Sequence, residues 1–137
     1  MIVIDASAVA KYLLREQGWG EVERYLVEDD VVSLDLMLKE VLNTIWKHAV
    51  ILGTITRSLA EEKKQILYSL VEDGIILVER EEKYLDKAFS IALKNRVTIY
   101  DALYIAQALE HRATLLTSDK KQLETAQKLG APAVYVP

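Results

Sequence analysis

The chain has no cysteine among its 137 residues, which excludes both a disulfide framework and a thiolate zinc site. Such a composition suits a reducing cytosol, the expected location. Five Gly, two Pro and two Asn (Asn43, Asn95) are all it carries of those types, a scarcity that leans toward a thermophilic source. No apolar run approaches the ~20 residues of a membrane helix. The N-terminal MIVID lacks the basic flank and long apolar run of a signal peptide. Positive charge is not in excess either: 17 Lys+Arg stand against 21 Asp+Glu, a net −4, which argues against a general nucleic-acid coat. Tying up four acids with a divalent cation would leave 17 against 17, so the sign decides little until the acids are placed.

Internal repeats, low-complexity tracts and Gly/Ser linkers are also missing. With 51% hydrophobic and 28% charged residues, the chain can bury a core and stay soluble. Its length predicts a single domain over residues 1–137.

Short β-rich runs alternate with longer helical patterns. Ile2 to Ile4, Val31 to Leu34, Ile75 to Glu79, Ala113 to Thr117 and Ala133 to Val136 read as five strands. Helical spacing covers Ser7 to Leu14, Trp19 to Val27, Asp35 to about Ala49, Thr54 or Thr56 to Glu72, Glu82 to Lys94, Thr98 to His111, and Ser118 to Leu129. Strands apolar throughout and separated by helices predict a three-layer α/β/α domain with a twisted, mainly parallel sheet. Ligands of such sheets gather beyond the C-terminal strand ends, where strand order reverses.

Four carboxylates fall near that edge: Asp5 after the first strand, Asp119 after ATLLT, Asp101 in the first turn of the Thr98 helix, and Glu40. Capping explains three of them without any ligand. Asp is a preferred N-cap, and Thr98-Ile99-Tyr100-Asp101 has the form of a capping box. Glu40 lies too deep for a cap and forms a polar stripe with Asn43 and Lys47. If the first strand and ATLLT are neighbours, Asp5 and Asp119 approach each other, and converging carboxylates repel unless protonated or joined by a cation. All-oxygen donors suit a hard ion, Mg²⁺ or Mn²⁺, with Ser7 and Thr117 adding hydroxyls around the acids.

The segments DASAVAKYL, KEVLNTIWK, YDALYIAQA and LLTSDKKQL, in that order, resemble the PIN-domain ribonucleases over essentially the whole chain, and the length resembles the VapC-like toxins of prokaryotic toxin–antitoxin pairs. The resemblance implies a metal-dependent endoribonuclease with Asp5, Glu40, Asp101 and Asp119 as its metal-site acids, and Asn43 and Thr117 as accompanying polar positions. Asp5 and Asp101 would ligate the ion directly, Asp119 would complete the site, and Glu40 would orient water or hold a second ion. Lys121 stands where some members carry another acid, which puts a second metal in doubt. The resemblance further implies a homodimer and an antitoxin whose tail covers a groove.

Substrate RNA would need local positive charge, and Lys11, Arg15, Lys39, Lys47, Arg96, Lys120 and Lys121 lie near these segments. Tyr12, Leu13, Leu14, Trp19 and Trp46 exceed what a small core clearly needs, which leaves either packing or an apolar interaction face. His48 and His111 have no partner at ligand spacing and read as surface or helix-end residues. Competing readings are a haloacid-dehalogenase-type phosphatase, whose loop needs a second Asp where Ser7 stands, a receiver-like domain, and a catalytically silent binding module of the same fold.

Overall fold

Val3, Ile4, Leu34, Leu115 and Leu116 are all fully buried, which places their strands in the middle layer. The computed structural model describes all 137 residues. Strands β1 (Ile2–Ile4), β2 (Val31–Leu34), β3 (Ile76–Glu79), β4 (Thr114–Thr117) and β5 (Ala133–Tyr135) form one sheet in the order β3-β2-β1-β4-β5. Every pairing is parallel, so "mainly parallel" becomes wholly parallel. The helices are α1 (Ala6–Leu13), α2 (Trp19–Glu28), α3 (Asp35–Trp46), α4 (Arg57–Glu72), α5 (Leu85–Asn95), α6 (Ile99–His111) and α7 (Lys120–Lys128). Right-handed crossovers put α1 to α4 on one face of the sheet and α5 to α7 on the other, which gives the three expected layers.

The chain leaves β1 in one direction toward β2 and β3, then returns on the other side through β4 to β5. Strand order therefore reverses between β1 and β4, which pair Ile2 with Thr114, Val3 with Leu115 and Ile4 with Leu116. Buried polar groups close the C-terminal strand ends: Ser33 Oγ donates to Ile4 O at 2.6 Å and Gln107 Nε2 to Ser33 O at 2.8 Å.

Two helices differ from their sequence pattern. The Asp35 helix stops being α-helical at Trp46 and widens into a π turn over Lys47–Ile51. The wider turn moves the last residues off the apolar face, leaving Val50 and Ile51 exposed. The Glu82 helix begins as a 3₁₀ turn, Glu81–Tyr84, before α5. Thr56, not Thr54, caps α4, its side chain accepting from Leu59 N. The other boundaries lie within two residues of those expected.

Leu115→Ala should destabilise the chain by ~2–5 kcal/mol, since the cavity opens in the central layer. Val27→Ala, at a 78% exposed position, should stay within ~0.5 kcal/mol. Urea unfolding of both variants checks the contrast.

Candidate active site

β1 ends at Ile4 and Asp5 caps α1, so the first charged group of the chain sits at the reversal point. Its Oδ1 accepts from Ser7 Oγ at 2.6 Å and from Ala8 N at 3.1 Å, and Oδ2 accepts from the Thr117 hydroxyl of β4. Ser7 Oγ in turn accepts from Ser118 N at 2.9 Å, and Thr117 Oγ1 from Asp119 N at 3.0 Å. Burial drives the Asp5 carboxyl up to about 6; the three hydrogen bonds oppose that rise and the nearby Asp119 charge adds to it.

Asp119 caps α7, accepting from Lys121 N at 2.9 Å. Asp101 occupies the first turn of α6, where its own N–H donates to the Thr98 cap. Partial burial, then the Asp119 charge, raises its carboxyl, while Thr98 and Lys121 pull it down. Glu40 comes from α3 on the opposite face and accepts from Tyr104 OH at 2.7 Å. Half-burial raises it, and the charges of Asp101 and Glu81 raise it further. All four acids line one cleft of about 490 Å³, together with Ser7, Asn43, Thr44, Lys39, Tyr100 and Tyr104. Thr117, buried behind Asp5, supports the site without lining it.

The donor set is all oxygen, and three of its four acids are pushed toward protonation in the absence of a cation. That chemistry fits a hard divalent ion. The side chains do not stand as a finished coordination set, since no three acidic or histidine groups converge closely enough to hold one ion.

The positive residues divide. Lys39 lines the cleft and Lys121 lies near enough to Asp101 to act on it. Lys121, Arg96 and Lys128 line one depression, with Glu124 the single acid among them. Lys47 and Lys120 are exposed. Lys11 and Arg15 are engaged elsewhere. Lys11 Nζ donates to Gln17 O, and the Arg15 guanidinium lies 4.0 Å from the Trp19 ring centre and 4.9 Å from that of Tyr12, with Glu23 at 3.5 Å. Those aromatics, with buried Leu13 and half-buried Leu14, therefore pack the α1–α2 corner, and of the five surplus residues only Trp46 is exposed.

His111 does have a partner that sequence spacing hid. Its Nε2 lies 2.6 Å from Glu79 Oε1 and 3.2 Å from Tyr84 OH. Glu79 also accepts from Tyr84 at 2.7 Å, Gln107 at 3.0 Å and Lys83 at 3.2 Å. Burial alone would raise Glu79, but these donors outweigh it and bring its carboxyl down to about 2. His48 rests on Thr54 Oγ1 at 2.9 Å, outside the cleft. Tyr104, Tyr100 and Thr44 line the cleft and were not singled out in the sequence, while Glu81 lies outside the lining and acts on Glu40 through its charge. Tyr104 reads as core, although its place one turn after Asp101 puts both on one helix face. Glu81 keeps one carboxylate oxygen buried without a hydrogen-bond partner.

A doubly wound parallel sheet with an acidic cleft at its reversal point is the class this geometry defines. The PIN domain model matches residues 2–128, and the chain belongs to the PIN domain family. It is 33% identical to Ribonuclease VapC3 of Pyrobaculum aerophilum over 132 residues, covering 96% of this chain and 98% of that protein. Among solved structures, PAE2754 from Pyrobaculum aerophilum superposes with a TM-score of 0.73 at 24% identity, over 97% of this chain and 83% of the other. VapC20 of Mycobacterium tuberculosis, a Sarcin-Ricin loop cleaving toxin, gives 0.67 at 14% identity, over 90% and 94%. Both share the fold. Family membership displaces the phosphatase and receiver readings.

Opposite shifts at the centre strand and at the β3 end of this edge predict a pH optimum for the metal-free protein. Asp5 titrates at about 6 when folded against an ordinary 3.8, so stability rises as pH falls through that window. Glu79 titrates at about 2 against 4.5, so its contribution is present above that value and lost as pH falls toward 2. Thermal midpoints without metal should peak near about pH 4–5. Asp5→Asn should flatten the upper limb and Glu79→Gln the lower one.

Proposed function

We propose that this chain is a metal-dependent endoribonuclease and the toxin of a toxin–antitoxin pair, acting as one domain over residues 1–137 in the cytoplasm. The observation that carries the reading is the meeting of Asp5, Glu40, Asp101 and Asp119 in one cleft at the strand reversal, in a PIN-family chain related along its length to a ribonuclease. Asp5, Asp101 and Asp119 would hold Mg²⁺ or Mn²⁺, with Glu40 nearest the attacking water. When bound, the ion supplies Lewis-acid polarisation of the phosphate and lowers the pKa of water. Ser7 and Thr117 fix both oxygens of Asp5, so its direction does not change as substrate enters. The water oxygen attacks phosphorus, its proton passes to the free oxygen of Glu40, and the bond to the leaving ribose oxygen breaks. Solvent then protonates that oxygen.

Lys39 at the cleft and the depression of Lys121, Arg96 and Lys128 beside it would meet the RNA backbone. Lys47 and Lys120 remain free to join them; Lys11 and Arg15 are committed to the α1–α2 corner.

For the antitoxin tail, support comes from a groove of about 420 Å³ between the end of α3 and α4. Leu42, Ile45, Trp46 and Val50 line it, with Arg57, Glu61 and Lys64 on its rim. A homodimer has its support in the exposed apolar stripe Leu85, Phe89 and Leu93 along α5. No helix is long and apolar enough to cross a membrane.

Random-sequence, end-labelled RNA oligonucleotides incubated with the chain should be cut with Mn²⁺ and not with chelator. Asp101→Asn should abolish the cut. It should also remove the Mn²⁺ stabilisation of the wild type, ~2.7 kcal/mol at a hundredfold excess over Kd. Cleavage that survives both chelator and Asp101→Asn would sink the reading. Lys121→Glu should weaken RNA binding and lower its log–log salt slope by ~1, measured by filter binding.

A further inference from the structure

We infer that Tyr104 is a positioning residue of this site, whose hydroxyl fixes one oxygen of Glu40 and so dedicates the other to the attacking water. The inference rests on the nuclease reading above and deepens it.

Tyr104 stands one turn beyond Asp101 on α6 and is 2% exposed, yet it borders the cleft. Its hydroxyl reaches across the sheet's end from α6 to α3 and donates to Glu40 Oε1 at 2.7 Å. That bond is the only one made to the Glu40 carboxylate. The other acids are held differently. Asp5 has three donors, all from α1 or the adjoining strand β4, and Asp119 is fixed by backbone N–H groups of its own helix.

Glutamate has three side-chain torsions, and Glu40 has one anchor. Without it the carboxylate is free to change rotamer, driven also by the like charge of nearby Glu81. The Tyr104 ring is pinned by the core, so its hydroxyl is a fixed point that phenylalanine would lack. Packing alone does not call for that oxygen; a carboxylate facing the scissile phosphate does. Oε1 is occupied by the tyrosine proton, which leaves Oε2 to align the water. An error of ~1 Å in such alignment can cost ~100-fold in rate.

The test is a double-mutant cycle on Mn²⁺-dependent cleavage of the random-sequence RNA pool, using wild type, Tyr104→Phe, Glu40→Gln and the double variant. Tyr104→Phe should lower kcat by ~10–100-fold and leave KM and the Mn²⁺ Kd within about twofold, because Asp5, Asp101 and Asp119 are untouched. In the Glu40→Gln background the same change should cost nothing further. Thermal midpoints of the four proteins show whether each is folded. An unchanged kcat in Tyr104→Phe overturns the inference, as does an equal loss with and without Glu40. A wild type that cuts no RNA with Mn²⁺ overturns the nuclease reading first, and this inference falls with it.

Discussion

Everything at the functional edge depends on how β1 is tied to β4. The two strands are far apart in sequence, and their pairing is where the sheet changes direction. A buried carboxylate sits on that seam. Asp5 is 5% exposed and has no cationic partner, so its charge is tolerated only because hydroxyls of Ser7 and Thr117 and the N–H of Ala8 point at it. These donors come from both sides of the seam. The same bonds that join β1 to β4 therefore orient the acid, and the site cannot be loosened without loosening the sheet.

Capping and ligation are compatible readings of the same residues. Asp5 and Asp119 each cap a helix, and Thr98 caps the one that carries Asp101. Capping uses Asp5 Oδ1 and Asp119 Oδ1, and a carboxylate has a second oxygen with lone pairs to spare. In Asp119 the cap fixes the backbone and one oxygen, which aims the other; in Asp5 the second oxygen is held as well, by Thr117, and offers its remaining lone pair. A helix N-terminus also lowers the cost of placing negative charge there, and this fold brings three such termini to one edge.

Much of this was legible in the sequence for definite reasons. Short, largely apolar runs such as IVI and TLLT, set between helical patterns, read as central parallel strands, and the place of the Asp just beyond each followed from that. Contacts made across the fold were not legible. Tyr104 and Glu40 are 64 positions apart, and the pattern around Tyr104 is continuous core. His111 looked unpartnered because Glu79 is supplied by a strand 32 residues earlier. Arg15 looked free because its partners Tyr12 and Trp19 come together only when the chain turns between α1 and α2. The π turn after Trp46 was invisible too, since a 3.6-residue period cannot announce where the period changes.

Glu79 and Asp5 make the sharpest comparison, because both end a strand on the same edge of the same sheet. Glu79 is surrounded by donors, two of them able to carry positive charge, and its carboxyl falls to about 2. It has no affinity left to offer, and its work is to bind β3 to α6. Asp5, Glu40 and Asp101 are raised, each with another acid adding to the effect of burial. A fold that satisfies one carboxylate so fully could satisfy the others by placing a Lys or Arg among them, and Lys121 shows that cations are within reach of the cleft. Leaving the acids mutually repelling costs stability at neutral pH and keeps their oxygens available. A bound cation would offset that cost, so under the nuclease reading it is the unsatisfied acids, rather than the satisfied one, that we propose as the place of the chemistry.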